Sequence, residues 1–356
     1  MKIGILTYHR SHNYGALLQA VALRTVLQGM GHEVCYVDYR PEYHKKMYAP
    51  FSWSDFSSYG LRTKAFYLLE YPQRKRRYAN FIPFIDKEIV PYCHDIDEEY
   101  DVIIYGSDQI WRKQNAIGGF NPVYFGDNHF KAKKHVSYAA SMGIMKLTDS
   151  DKQTLKSLVG HLDAVSVREE GLKELLTSIG VEEVNLSLDP TLLLSSDEWD
   201  KALPGEKAKG NGYVFVYELL NDSFNNDAVK RFAKKRGLDV IKIEGISVKP
   251  SLLPRRITDS PYSFLNLIRN AEFVFTSSYH GLVFSLLYGK QFYTAFPENA
   301  DRARNLLSEA GLSDYMIPVG CSQIPELPSI DFQTVYSRLE PIRKKSIDYI
   351  KKSLVL

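Results

Sequence analysis

The residues with chemical capacity gather in four short stretches. One is Thr276-Ser277-Ser278-Tyr279-His280-Gly281, which sets two serine hydroxyls, a phenol and an imidazole between two apolar runs. An apolar strand, a Ser-Ser pair and then a helix leave the helix's first N–H groups pointing outward, a candidate anion site. A histidine in that first turn can donate or take back a proton near neutral pH. The same residues also read as a capped turn with a structural histidine, and the turn alone does not separate the two.

The stretch Tyr8-His9-Arg10-Ser11-His12-Asn13-Tyr14-Gly15 holds more donors than a helix cap requires. In Tyr105-Gly106-Ser107-Asp108-Gln109-Ile110-Trp111, Gly106 permits close backbone approach. Asp108 and Gln109 there can bind hydroxyls, and Asp108 can accept a proton. A helix cap at Ser107 or Asp108 is the alternative. In Ser166-Val167-Arg168-Glu169-Glu170, the planar fork of Arg168 suits a carboxylate or phosphate ligand, or a salt bridge to a neighbouring glutamate.

What is missing narrows the chemistry. No GxGxxG fingerprint and no Walker A loop occur. Cys35, Cys93 and Cys321 are widely spaced, with no CxxC pair, so no zinc constellation is read and a reduced, cytoplasmic setting is expected. A net charge of +3 with mixed signs is too weak to argue for nucleic-acid binding, which is not expected, though it suits an enzyme handling anions. Neither a signal-peptide pattern nor a membrane-length apolar run is present.

These stretches lie where strands end. Ile3–Thr7 reads as a strand. Ala16, Ala20, Leu23, Leu27 and Met30 then recur at helical spacing, and a second strand spans Glu33–Val37, so the segment is a βαβ unit. The aromatic and basic region 40–100 reads mostly as helix over Leu61–Ile85. Strands follow at Asp101–Tyr105, His135–Ala139 and Ala164–Val167, and the Lys- and Gly-bearing stretch Pro204–Gly212 reads as a linker. Beyond it come strands Tyr213–Tyr217, Val240–Ile243, Phe273–Thr276 and Phe292–Thr294, alternating with helices. The expectation is an α/β protein with two Rossmann-like domains facing a ligand cleft: residues 1–206, residues 207–330, and a C-terminal helix over 331–356 packing back on the first.

Six stretches, in order, resemble the polysaccharide pyruvyl transferase family: GILTYHRSHNYGALLQAVAL, DVIIYGSDQIW, VSYAASMG, VSVREEGLKELL, LDPTLLL and TSSYHGLVFSLLYGKQF. The resemblance implies a GT-B fold and transfer of a pyruvyl group from phosphoenolpyruvate to two hydroxyls of a sugar, giving a pyruvate ketal and phosphate. It implies capsule, exopolysaccharide or cell-wall glycan synthesis, with phosphoenolpyruvate bound by residues matching Arg168 and His280. Where several relatives carry Arg-Leu-His-Gly, this chain has Ser278-Tyr279-His280-Gly281, and Arg10, Arg302 or Arg304 are the candidates to restore the lost charge.

The resemblance and the loop chemistry together set an expected scheme for the site. The donor sits on Arg168, Ser277, Ser278 and Gly281, with His280 as acid. The acceptor lies against His9, Arg10, Asn13, Tyr14 and Gln109, with Asp108 as base or hydroxyl ligand. No metal or other cofactor is needed. The acceptor is a sugar, expected to be lipid-linked, and Arg74-Lys75-Arg76-Arg77 suggests peripheral contact with the inner membrane face. A nucleotide-sugar glycosyltransferase and a non-catalytic glycan-binding protein are the rival readings.

Overall fold

The computed structural model of the chain describes residues 1–127, 129–143, 145–206, 212–218, 223–244, 255–257, 259–296 and 300–355. The expected domain border at 206/207 and most of the linker stretch lie outside them. The chain divides into two compact units. The first comprises Met1–His44, Ile85–Ser195 and Leu339–Leu356, and the second Lys45–Phe84 and Ser196–Arg338.

The first unit carries β1 (Lys2–Leu6), β2 (Glu33–Val37), β3 (Cys93–His94), β4 (Glu99–Tyr105) and β5 (Lys131–Ser137) in one parallel sheet, ordered β3-β2-β1-β4-β5. β6 (Ser166–Val167) pairs in parallel with β7 (Asn185–Leu186). The strands are near-continuous apolar runs because a parallel sheet is covered on both faces. Helix Tyr14–Gly29 returns the chain from β1 to β2. It buries 12 of its 16 residues, because the turn Pro190–Leu192 packs against it as well as the sheet. Late in the chain, Tyr349 donates to the Ser137 carbonyl (2.9 Å) and the Ser346 hydroxyl accepts from the Leu188 amide (3.0 Å).

The second unit repeats the pattern with β8 (Tyr213–Glu218), β9 (Asp239–Glu244), β10 (Arg255–Ile257), β11 (Phe273–Thr276) and β12 (Gln291–Thr294), all parallel, ordered β10-β9-β8-β11-β12. In its core the Phe232 ring meets both Phe275 and Tyr293 edge-on. Each unit is therefore Rossmann-like, with the central pair β1/β4 or β8/β11 marking the point where strand order reverses.

The helix expected over Leu61–Ile85 spans Leu61–Glu88 and tolerates Pro72 and Pro83, both on its exposed side. Its inner stripe includes Tyr67, Phe81 and Phe84, and Phe84 meets the Tyr262 ring edge-on at 4.8 Å. The short helices Glu42–Tyr48, Trp53–Ser58 and Ser196–Ala202 have no sequence period long enough to announce them.

Candidate functional site

In an open parallel sheet the loops beyond the carboxyl ends of the two strands flanking the reversal form the binding crevice. In the first unit those are the loops after β1 and β4. In the second, the described loop of this kind is the turn after β11.

After β1, Asn13 is the helix N-cap and its side chain accepts from the Ala16 amide (3.2 Å). Tyr14 is buried. Buried His9 sets Nδ1 2.9 Å from the Thr7 carbonyl and Nε2 3.1 Å from Asp38 Oδ1. Arg10 grips the same carboxylate with its fork, Nε to Oδ1 at 2.9 Å and Nη2 to Oδ2 at 2.7 Å. Burial pushes the Asp38 carboxyl up, but the hydrogen bonds from His9 and Arg10 outweigh it and hold the group well below the usual range. Asp38 follows directly on β2, and a lone acid in Val37-Asp38-Tyr39 carries no motif that would single it out.

The His9 ring, the Asp38 carboxylate and the Cys93 thiol lie within 4.8 Å of one another, a set of metal-ligand types. Arg10 and, at 3.5 Å, Arg40 already address that carboxylate, so the neighbourhood is cationic and poorly suited to a divalent ion. Burial pushes the Cys93 thiol up to about 11 against the pull of Arg10.

Next to this network, His44 stacks on Tyr8 at 4.3 Å and its Nε2 meets the Ser11 hydroxyl at 3.1 Å. Burial, with His9 and His12 nearby, lowers His44 to about 4.

Gln19 ties the loops after β1 and β4 together. Its amide nitrogen donates to Thr7 Oγ1 (3.0 Å), and its oxygen accepts from the Ser107 amide (3.1 Å). A side chain at Gly106 would place Cβ 2.0 Å from the Tyr138 carbonyl oxygen, so only glycine fits there. The half-buried Asp108 carboxylate accepts from the Gln109 amide (2.7 Å), and Gln109 accepts from Arg112 (3.0 Å). The backbone of this loop is zipped to Ser141, through Trp111 N to Ser141 O (3.1 Å) and Ser141 N to Asp108 O (3.2 Å).

Arg168 lies just past β6, buried, with its Nη1 donating to the fully buried Asp189 carboxylate. Asp189 also accepts from the Thr191 amide (3.0 Å) and hydroxyl (2.7 Å). The Glu169 carboxylate stands 3.9 Å from Arg168 Nε and accepts from Ser141. The guanidinium is thus held by an acid 21 residues away rather than only by its sequence neighbour.

In the second unit, helix Tyr279–Leu287 starts at Ser278, which makes no side-chain cap hydrogen bond. Its hydroxyl lies beside the Tyr217 phenol, which burial pushes up to about 12 against the opposing effects of Arg77 and Ser278. Thr276 Oγ1 donates to the Tyr217 carbonyl (3.1 Å) and accepts from the Ser278 amide (3.1 Å), and the Ser277 amide also reaches the Tyr217 carbonyl (3.1 Å). A Cβ on Gly281 would sit 2.1 Å from Thr276 Oγ1, which accounts for that glycine without any ligand. His280 is half-buried and meets Tyr279 edge-on, and the Arg302 guanidinium lies 5.2 Å over the Tyr279 ring.

The four sequence stretches therefore form two built groups. His9, Arg10, Asn13, Tyr14, Asp108, Gln109 and Arg168 belong to the first unit, and Ser277, Ser278, His280 and Gly281 to the second. Sequence reading does not single out Asp38, Gln19, Asp189 or Tyr217, although Gln19 and Asp189 lie inside two of the resembling stretches; each acts through a neighbour.

The family model described as polysaccharide pyruvyl transferase matches residues 13–296. No curated protein matches the chain. Similar solved structures include the UDP-GlcNAc 2-epimerase of Methanocaldococcus jannaschii, 12% identical, covering 96% of this chain and 92% of that one at a TM-score of 0.49. A glycosyltransferase from Streptomyces nogalater is 12% identical, with coverages of 99% and 97% and a TM-score of 0.41. The heptosyltransferase WaaC of E. coli with ADP is 10% identical, with coverages of 96% and 100% and a TM-score of 0.41.

Proposed function

The chain belongs to the polysaccharide pyruvyl transferase family, and we propose that it moves the pyruvyl group of phosphoenolpyruvate onto two hydroxyls of a sugar, forming a ketal and releasing phosphate. The observation that carries the donor assignment is the start of helix Tyr279–Leu287. It opens beside the strand-order reversal, its cap serine does not spend its hydroxyl on the helix, and His280 stands in its first turn. A helix N-terminus favours an anion through its N–H groups and dipole, which suits a phosphate or carboxylate.

In the reaction His280 delivers a proton to the methylene carbon of the donor, which leaves C2 electron-poor. A sugar hydroxyl adds at C2 and gives up its proton. The C2–O bond to phosphate then breaks, phosphate leaves with that electron pair, and the second hydroxyl closes the ketal with loss of its own proton. Asp108 takes the proton of the first hydroxyl, which balances the one His280 gives up, while the leaving phosphate takes the proton of the second. Gln109, with the loop after β1, orients the sugar. Arg168, fixed by Asp189, supplies the positive charge that the donor carboxylate or phosphate requires. Ser277, Ser278 and Gly281 shape the donor end. In this scheme the acceptor is a lipid-linked precursor of a cell-surface polysaccharide, and the donor is the only small molecule consumed.

The test is the melting temperature of the purified protein with phosphoenolpyruvate and, separately, with UDP-, GDP- and CMP-sugars. Selective binding raises it. A rise with phosphoenolpyruvate alone is expected. A rise confined to a nucleotide sugar would replace this reading with glycosyl transfer.

A further inference from the structure

Among the described residues, no helix is long and apolar enough to cross a membrane. The segment 45–78 nonetheless exposes an unusual surface. Trp53 is 76% exposed, Leu61 88%, Leu69 63% and Leu68 53%, and Met47, Phe66 and Tyr78 are also open to solvent. On helix Leu61–Glu88 the residues Leu61, Ala65, Leu68, Leu69 and Pro72 share one outward stripe, and Lys75 and Arg76 continue it. Arg74 and Arg77 turn the other way: Arg74 lies 4.8 Å over the Tyr67 ring, and Arg77 5.8 Å from the Phe81 ring. Of the basic run, therefore, Lys75 and Arg76 are exposed and Arg74 and Arg77 half-buried.

Trp53 is not a stray side chain. It meets Phe51 at 5.2 Å and Phe56 at 6.0 Å, and Phe51 in turn meets Tyr67 at 5.4 Å and Tyr71 at 5.9 Å. This aromatic cluster is held on the helix, with Lys64 5.5 Å over the Phe56 ring. Residues 45–78 contain eight Lys and Arg against Asp55 and Glu70, a net of +6 in a chain whose total is +3. Positive charge and exposed apolar side chains thus coincide in about a tenth of the sequence.

We infer that this segment is a docking face for an anionic lipid bilayer. The apolar stripe enters the headgroup boundary with Trp53 at its flank, and Lys75 and Arg76 on the stripe, with Arg62 beside it, meet the lipid phosphates. The charge selects this occupant over a second copy of the chain, because a face-to-face pair would bring two +6 segments together. The inference stands on the segment's own surface and does not depend on the donor assignment.

Trp53 is also the natural reporter, since Trp111 and Trp199 are fully buried. The experiment titrates the whole protein with vesicles of phosphatidylcholine alone and with vesicles containing phosphatidylglycerol, reading tryptophan emission and co-sedimentation. A blue shift and co-sedimentation with the anionic vesicles only, lost at high salt, are expected. The variant Lys75→Glu/Arg76→Glu should bind them at least about tenfold more weakly. Leu68→Gln/Leu69→Gln should abolish the shift at unchanged melting temperature. No response to anionic vesicles, or undiminished binding by the charge-reversed variant, would overturn the inference. So would a concentration-dependent blue shift without lipid, which would make a second copy the occupant.

Discussion

The Arg10 guanidinium lies fork-on against the Asp38 carboxylate, with His9 Nε2 on the same oxygen as Arg10 Nε. One acid thus anchors two residues of the loop after β1. Asp38→Asn should therefore cost about 2–3 kcal/mol of stability at neutral pH. Because the folded carboxyl is held below its usual range, this stability is present above about pH 4 and fades as pH falls below it. Melting curves of wild type and variant should converge in acid. A constant gap down to low pH would show that the charge is not what matters.

His44 has the opposite chemistry and a different window. Its folded value near 4 lies below that of a free histidine, so the neutral ring is the form the fold accepts. As pH falls from about 6.5 to about 4 the unfolded chain takes up a proton that folded His44 refuses, and stability declines by roughly 3 kcal/mol. His44→Gln removes that group and should flatten the decline of melting temperature over this interval. An unchanged slope in the variant would assign the decline elsewhere.

Arg168 and Asp189 form a buried pair, and removal of one partner strands the other charge. Asp189→Ala should cost about 3–5 kcal/mol, read as a lower urea midpoint. A loss below about 1 kcal/mol would mean that the guanidinium finds equivalent partners without Asp189.

Gly281 and Thr276 should be energetically coupled. Gly281→Ala drives a methyl group against Thr276 Oγ1 and should cost about 1–3 kcal/mol. Thr276→Ala removes that oxygen, so the double variant should lose less than the two single losses added. Strict additivity would place the strain of Gly281→Ala elsewhere.

Much of the fold was legible because parallel strands announce themselves as short apolar runs and their crossover helices as 3.6-residue periods. Phe273–Thr276 and Glu33–Val37 were read to the residue. β3 is Cys93-His94 and β10 Arg255-Arg256-Ile257, neither an apolar run, so the sequence does not mark either as a strand. The site was legible as loop positions but not as bonds. Asp38 meets Arg10 across 28 residues and Asp189 meets Arg168 across 21, distances over which only the return of a strand brings side chains together. Arg74-Lys75-Arg76-Arg77 reads as one basic run, yet the helix turns its two ends inward and its middle outward, because consecutive residues lie 100° apart on a helix.

The most direct measurement incubates the protein with phosphoenolpyruvate and candidate glycolipid acceptors, following phosphate release and the acceptor mass. Wild type should release phosphate only when acceptor is present and should convert the acceptor to its pyruvate ketal. His280→Asn and Arg168→Met should each lose at least about a hundredfold in rate. Near-normal turnover in both variants, or transfer from a nucleotide sugar while phosphoenolpyruvate stays intact, would contradict the account.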